Sequence, residues 1–186
     1  MNKLKLLAVA KGKSVLAGAS TGRRIRDQLW EIAKTSAPGL FVVNCEGVDV
    51  ATTSFLREGL VGLRDLVRTN RTDLYPVVSS LSDAVEEEFI GLLNQMNEAF
   101  WLFELQGNAV KGRRLIGRID PKLKETLDLI ERGFGHDAAT LWKSTNSTES
   151  VGVTAWNNRL ASLSKQGLVF ESRVGKQKFF HPLHKL

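Results

Sequence analysis

The sequence contains very little cysteine, proline or histidine: among its 186 residues there are one Cys, four Pro and three His. A single cysteine, Cys45, cannot form an intramolecular disulfide, and it lies in an apolar stretch of sequence. The simplest inference is that the protein works in a reducing cytoplasm. The three histidines, His136, His181 and His184, are scattered, and no His/Cys cluster has the spacing of a metal site. We therefore expect neither a disulfide nor a bound metal.

Long apolar runs and catalytic motifs are also lacking. No run approaches the about 20 apolar residues of a membrane-spanning helix, and the N-terminal apolar stretch is too short for a signal peptide. The sequence has no nucleophile elbow, Walker motif or zincin motif. Glu86-Glu87-Glu88 is more typical of a solvated helix edge than of paired catalytic carboxylates. We expect no membrane association, no enzymatic activity and no cofactor.

Positive charge is concentrated towards the C-terminus. The formal net charge is +6; residues 1–110 carry 12 Lys/Arg and 13 Asp/Glu, whereas residues 111–186 carry 14 and 7. This distribution predicts a basic module that meets a polyanion, joined to a nearly neutral module that does not.

Predicted strands and helices alternate through residues 1–105, which indicates an α/β domain with a mostly parallel or mixed sheet covered by helices. Pro76 suggests an edge position, or the first residue of its strand, because proline cannot donate to a strand ladder. The predicted strands are Leu4–Ala10, Ser14–Ala17, Leu40–Val43, Leu74–Ser79 and Phe100–Leu105.

One segment of this domain, Val42 to Leu60, resembles the central element of STAS domains. In that family a buried strand ends in a polar loop with Gly-Val, and a short spacer and a Ser/Thr pair then open a helix. Here the loop ends in Gly47-Val48, the spacer is 49–51 and the hydroxyl residues are 52–54. The resemblance covers about residues 10–105 and is closest to a STAS-like branch of bacterial proteins with Ser54-Phe55 after the spacer.

The resemblance implies a function for Thr52, Thr53 and Ser54 in partner docking or as a phosphorylation switch. The implied partner is a GHKL-type ATPase, a kinase or another regulatory protein. The sequence departs from the family at two positions, where Thr52 replaces the usual Asp and Phe55 the usual Gly. The alternative is that Thr52 and Thr53 only cap the helix.

The sequence predicts three consecutive regions: an α/β domain over 1–106, a Gly-rich basic linker over 107–119 and a small α+β domain over 120–186. The alternative for part of the linker is a short strand at Leu115-Ile116. Asp120-Pro121 is typical of a helix start, and Asp137 is placed to cap a short helix over 138–143. A polar turn over 144–149 then precedes a longer helix that begins near Val151.

That longer helix has two distinct faces at about 100° per residue. Gly167 ends it, and a hairpin with basic residues around a Val174-Gly175 turn follows. The apolar face consists of Val153, Trp156, Leu160 and Leu163. The opposite face consists of Thr154, Asn157, Asn158, Ala161 and Lys165.

The order of these elements, from about Asp120 to Leu183, resembles winged helix-turn-helix domains, most specifically in NNRLASLSKQGLV and the following hairpin. The resemblance implies binding to double-stranded DNA. The alternatives are an ordinary amphipathic helix and hairpin, or use of the same module in protein–protein contacts. The expected DNA-binding residues are Thr154, Asn157, Asn158, Arg159, Lys165, Arg173, Lys176 and Lys178.

These features predict a cytoplasmic DNA-binding transcriptional regulator whose STAS-like domain senses a signal or docks a partner protein. One alternative is an adaptor in a STAS-type partner-switching circuit that does not bind DNA. Another is a STAS-like sensor that binds a ligand. The oligomeric state stays open, with a homodimer as one alternative.

Overall fold

The computed structural model describes residues 1–107, 109–145 and 152–186. The chain divides into two compact units, Met1–Arg118 and Ile119–Leu186, and each is described by itself. Within the described ranges, no helix has both the length and the apolar character that crossing a bilayer would require.

The N-terminal unit is built on a five-stranded sheet, which confirms the predicted mixed α/β architecture. Its order is β1-β3-β5-β6-β7; the first four strands run parallel, and β7 pairs antiparallel with β6. The short strands β2 and β4 form a separate parallel pair. The strands are β1 Asn2–Lys5, β2 Val15–Leu16, β3 Gly39–Asn44, β4 Val50–Ala51, β5 Leu74–Ser79, β6 Ala99–Gln106 and β7 Ala109–Gly117.

The helices of this unit enclose a core against one face of the sheet. Phe41 of β3 and Phe100 of β6 contribute to that core, and the Phe100 ring lies 5.4 Å from the ring of Phe89. Gly22 allows two helical segments to approach, because a Cβ there would lie 2.9 Å from the Phe55 carbonyl oxygen. The helices are α1 Leu6–Val9, α2 Ala19–Thr35, α3 Thr53–Leu56, α4 Gly62–Asn70 and α5 Asp83–Met96, with a π-helical turn at Arg57–Val61 between α3 and α4.

The strand predicted over Leu4–Ala10 is shorter than expected. β1 ends at Lys5, and a single helical turn, α1, follows. Leu6 and Ala10 are both buried, and the Ala10 N–H donates to the Leu6 carbonyl oxygen at 2.9 Å. Periodicity alone does not distinguish a strand from a buried helical turn in a short apolar run.

The interpretation of Pro76 as a mark of an edge or of a strand start is wrong, because β5 is the central strand and Pro76 is its third residue. Pro76 lies opposite Phe41 of β3. On its other side, β5 pairs with β6 only at Val78 and Ser79. Pro76 therefore lies outside the β5–β6 ladder, where a missing N–H breaks no pairing.

The segment predicted as a basic linker, residues 107–119, largely belongs to the sheet. β7 occupies 109–117 and pairs with β6 along almost its whole length, with an irregularity between Glu104 and Leu105. Gly107 lies in the turn between the two strands with φ of 60°. The backbone groups of this Gly-rich segment pair with those of β6, the strand that precedes it, and local composition does not reveal this pairing.

The described residues of the C-terminal unit form three helices and a hairpin. Asp120 accepts hydrogen bonds from the backbone N–H groups of Lys122 and Leu123, and Asp137 from those of Ala139 and Thr140, which confirms both predicted caps. The elements are α6 Pro121–Glu131, α7 Ala138–Ser144, α8 Val153–Lys165, β8 Val169–Val174 and β9 Gln177–Pro182, followed by a 3-10 turn at Leu183–Lys185.

α8 packs on both α6 and α7. Leu127 and Ile130 of α6, Leu141 of α7 and Leu160 and Leu163 of α8 are all buried. Of the predicted polar turn over 144–149, Ser144 ends α7, whereas residues 146–149 lie outside the described residues.

Candidate nucleic-acid interface and hydroxyl cluster

The outward face of α8 is polar and accessible. Thr154, Asn157, Asn158 and Lys165 are exposed, and Ala161 lies among them. Trp156, Leu160 and Leu163 on the opposite side are buried, as their spacing predicts. The face carries two neighbouring amides, which can both donate and accept hydrogen bonds.

Arg159, one of the expected DNA-binding residues, does not belong to this face. Its side chain is only 8% exposed, and the guanidinium carbon lies 4.8 Å from the centre of the Trp156 ring. The position two residues after Asn157 turns the side chain towards the helix's packed side. An arginine stem can bury along apolar surface, so this residue has a packing role.

The turn of the hairpin that follows α8 lies one residue later in the sequence than predicted. Val174 pairs with Gln177, so the two turn residues are Gly175 and Lys176 rather than Val174 and Gly175. Gly175 has φ of 60°, a conformation that glycine adopts without steric cost. Lys176 is therefore presented at the tip of the hairpin.

Arg173 and Lys178 lie directly opposite each other on β8 and β9 and are both exposed. The Glu171 carboxylate binds both: Arg173 Nε is 3.0 Å and Lys178 Nζ 3.1 Å from Glu171 Oε1. Glu171 itself is only 18% exposed. The two cations are thus held by one carboxylate, whereas Lys176 stands apart at the turn.

Two imidazoles in contact, tilted by 37° to each other, join the hairpin to the segment before α7. The ring of His181 lies 4.7 Å from both the His136 and Phe170 rings, and its Nε2 is 2.9 Å from Ser172 Oγ. Burial lowers the pKa of His181, and the neighbouring His136 and Lys185 lower that pKa further. Because His136 and His181 are 45 residues apart in the sequence, no local pattern predicts that they are in contact.

The hydroxyl cluster of the N-terminal unit lies where α3 begins. Thr52 is the N-cap: its Oγ1 accepts hydrogen bonds from the Phe55 N–H at 3.4 Å and from the Gly18 N–H at 3.1 Å. Ser54 Oγ is 3.2 Å from the same oxygen. Thr52 therefore fastens the start of α3 to the start of α2.

Thr53 points to a different partner. Its backbone N–H donates to Glu88 Oε1 at 3.0 Å, and its hydroxyl donates to the same carboxylate oxygen. Glu88, on α5, was expected to be part of a solvated helix edge. Only the packing of α5 beside α3 brings these residues together, so no local pattern predicts the contact.

The boundary between the two units lies after Arg118, and this position changes how the positive charge divides between them. Lys111, Arg113, Arg114 and Arg118 belong to the N-terminal unit. Residues 1–118 then carry 16 Lys/Arg and 13 Asp/Glu, and residues 119–186 carry 10 and 7, so each unit has a formal charge of +3. An excess of positive charge does not single out the C-terminal unit.

Comparisons with protein-family models, with curated proteins and with solved structures each yield no match. Across the described residues, no group of three or more His, Cys, Asp and Glu side chains could hold a metal ion.

Proposed function

We propose that this chain is a cytoplasmic DNA-binding transcriptional regulator. In this proposal residues 119–186 form a winged helix-turn-helix domain, with α8 as the recognition helix and the β8–β9 hairpin as the wing. Residues 1–118 form a STAS-like domain that senses a signal or docks a partner protein. The observation that carries the proposal is the exposed polar face of α8, followed directly by an exposed basic hairpin.

The residues on the α8 face suit base recognition. An α-helix fits the major groove of B-DNA, and an asparagine side chain can bond the N6 and N7 positions of adenine together. Thr154, Asn157 and Asn158 lie in the first two turns of α8, the end that contacts bases in helix-turn-helix proteins. Lys165 at the other end is placed for a phosphate contact.

The hairpin suits the DNA backbone. Arg173, Lys176 and Lys178 are exposed on or beside a two-residue turn, a shape that can reach the phosphates next to the groove. Because each unit carries only +3, binding must rely on these few cations and not on a strong field around the whole unit. With Lys165 and the three hairpin cations as contacts, the salt slope of log K should be about −3 to −4.

The proposal is tested by titrating the full chain with fragments of its genome over a series of salt concentrations. We expect a subset of fragments to bind more tightly than a mixed-sequence duplex, with the slope given above. The absence of DNA affinity at low salt would overturn the regulator proposal.

The second candidate function is the partner-switching adaptor, favoured by the surroundings of the hydroxyl cluster. Val15 and Val50, cross-strand neighbours on β2 and β4, are 58% and 46% exposed, and Val50 lies two residues before Thr52. Exposed apolar side chains beside hydroxyl groups suit a protein contact. Saturable binding of a purified GHKL-type ATPase or kinase that is lost on Val50→Asp, with no DNA affinity, would favour the adaptor.

A further inference from the structure

We propose that Glu171 is a positioning residue of the hairpin and limits how tightly the hairpin binds DNA phosphates. It does so by holding Arg173 and Lys178 on one carboxylate, which keeps both cations from binding any phosphate they meet. This inference rests on the proposed DNA-binding function and concerns the same surface.

The register of the hairpin explains why a carboxylate is needed there. Arg173 and Lys178 are direct cross-strand partners, and like charges in that position repel. Glu171 lies on the same face of β8, two residues before Arg173, and so reaches Lys178 diagonally. Its two contacts, 3.0 and 3.1 Å, turn a repelling pair into a triad with a net charge of +1.

Burial makes the carboxylate the fixed member of the triad. Glu171 is 18% exposed, whereas the side chains of Arg173 and Lys178 are 65% and 48% exposed. On the partner strand Glu171 faces Phe180, which is buried, so the carboxylate is anchored at the base of the hairpin. The two longer side chains extend from it towards solvent.

The strength of these contacts allows exchange with a phosphate. Ion pairs with exposed partners contribute little stability, so a DNA phosphate can replace the carboxylate at small cost. A phosphate must displace Glu171 in every complex, and closer docking of the hairpin on the DNA backbone makes this exchange more complete. Glu171 should therefore weaken binding to the specific site at least as much as binding to unrelated DNA.

The experiment compares Glu171→Gln with wild type in the full chain, using a genomic fragment that the wild type selects and a mixed-sequence duplex of equal length. We expect Glu171→Gln to raise affinity for the mixed-sequence duplex by about tenfold at low salt and to steepen its salt slope by about one unit. Affinity for the selected fragment should rise by at least the same factor.

Three further variants separate positioning from net charge. Glu125→Gln removes one exposed carboxylate from α6, outside α8 and the hairpin, and should change neither the affinity nor the slope. In an Arg173→Gln/Lys178→Gln background, Glu171→Gln should have little further effect, because the two hairpin cations that it holds are absent. Glu171→Asp, with melts to verify folding, should keep the affinity closer to that of the wild type.

The possible failures are distinguishable. A wild-type chain without DNA affinity overturns the proposed function and this inference with it. A wild-type chain that binds DNA, with Glu171→Gln showing the same mixed-sequence affinity and slope, overturns only the role of Glu171. An effect of Glu171→Gln that persists in the Arg173→Gln/Lys178→Gln background also overturns it, because Glu171 would then act only as a charge.

Discussion

Thr53 donates two hydrogen bonds to Glu88, which lies 35 residues later in the sequence: Glu88 Oε1 accepts both the backbone N–H and the hydroxyl of Thr53. Glu88 thus occupies the N-terminal end of α3, where unpaired N–H groups attract a negative charge. A phosphate on Thr53 would compete with this carboxylate for the same groups. The proposed phosphorylation switch would therefore have to displace Glu88, which the sequence resemblance does not imply.

Thr53→Asp should destabilise the chain. Asp would place a second carboxylate beside Glu88 and would remove the hydroxyl donor, at a cost of about 1 kcal/mol in the free energy of unfolding. Glu88→Gln in the Thr53→Asp background should restore most of that loss, because an amide can donate to Asp. Urea unfolding of the two single variants and the double variant measures this coupling. An unchanged unfolding free energy for Thr53→Asp would contradict the contact.

The sequence was most informative where structure is decided locally. The caps Asp120 and Asp137 each bond to N–H groups two and three residues away, and the two faces of α8 follow from a period of 3.6 residues. The outward positions Asn157 and Asn158 were predicted for the same reason.

It was least informative where a distant segment completes the structure. The Gly-rich, basic composition of β7 is typical of loops, and β6 supplies the pairing that makes it a strand. Pro76 fits a central strand only because the β5–β6 ladder begins two residues later. Arg159 is among the expected DNA contacts, whereas in the structure it is buried beside the Trp156 ring.

Asn157→Ala should weaken DNA binding, whereas Arg159→Ala should lower the stability of the fold. Asn157 is exposed, so its truncation should cost about 1–3 kcal/mol of binding at a selected DNA site and leave the melting temperature nearly unchanged. Arg159 is stacked on Trp156, so its truncation should cost about 1–2 kcal/mol of unfolding free energy. DNA titrations and thermal melts of both variants provide the comparison. A loss of sequence preference in Arg159→Ala without a loss of stability would contradict its packing role.

Cys45 should resist alkylation in the folded chain. Complete burial raises the pKa of its thiol to about 12, so almost no thiolate forms at neutral pH, and the sulfur is 3.7 Å from the Val43 carbonyl oxygen. Iodoacetamide should therefore modify the native protein about a thousandfold more slowly than the urea-unfolded protein, since reaction must wait for opening. The time course of mass change gives both rates. Equal rates in the two states would show that Cys45 is accessible in the native fold.

The stability of the C-terminal unit should fall in mild acid because of His181. Burial, His136 and Lys185 lower the pKa of His181 in the folded state, so folding favours the neutral imidazole. Above the ordinary histidine pKa of about 6.5 the group is neutral in both states and contributes no pH dependence. As the pH falls below that value, the unfolded chain binds a proton that the folded chain takes up only at lower pH, and stability is lost until the folded pKa is passed.

His181→Phe tests this dependence, because a phenyl ring can keep the stacking on Phe170 but cannot bind a proton. Urea midpoints measured between pH 8 and pH 5 should decline less for His181→Phe than for wild type. Parallel pH profiles for wild type and His181→Phe would show that His181 contributes no pH dependence to the stability.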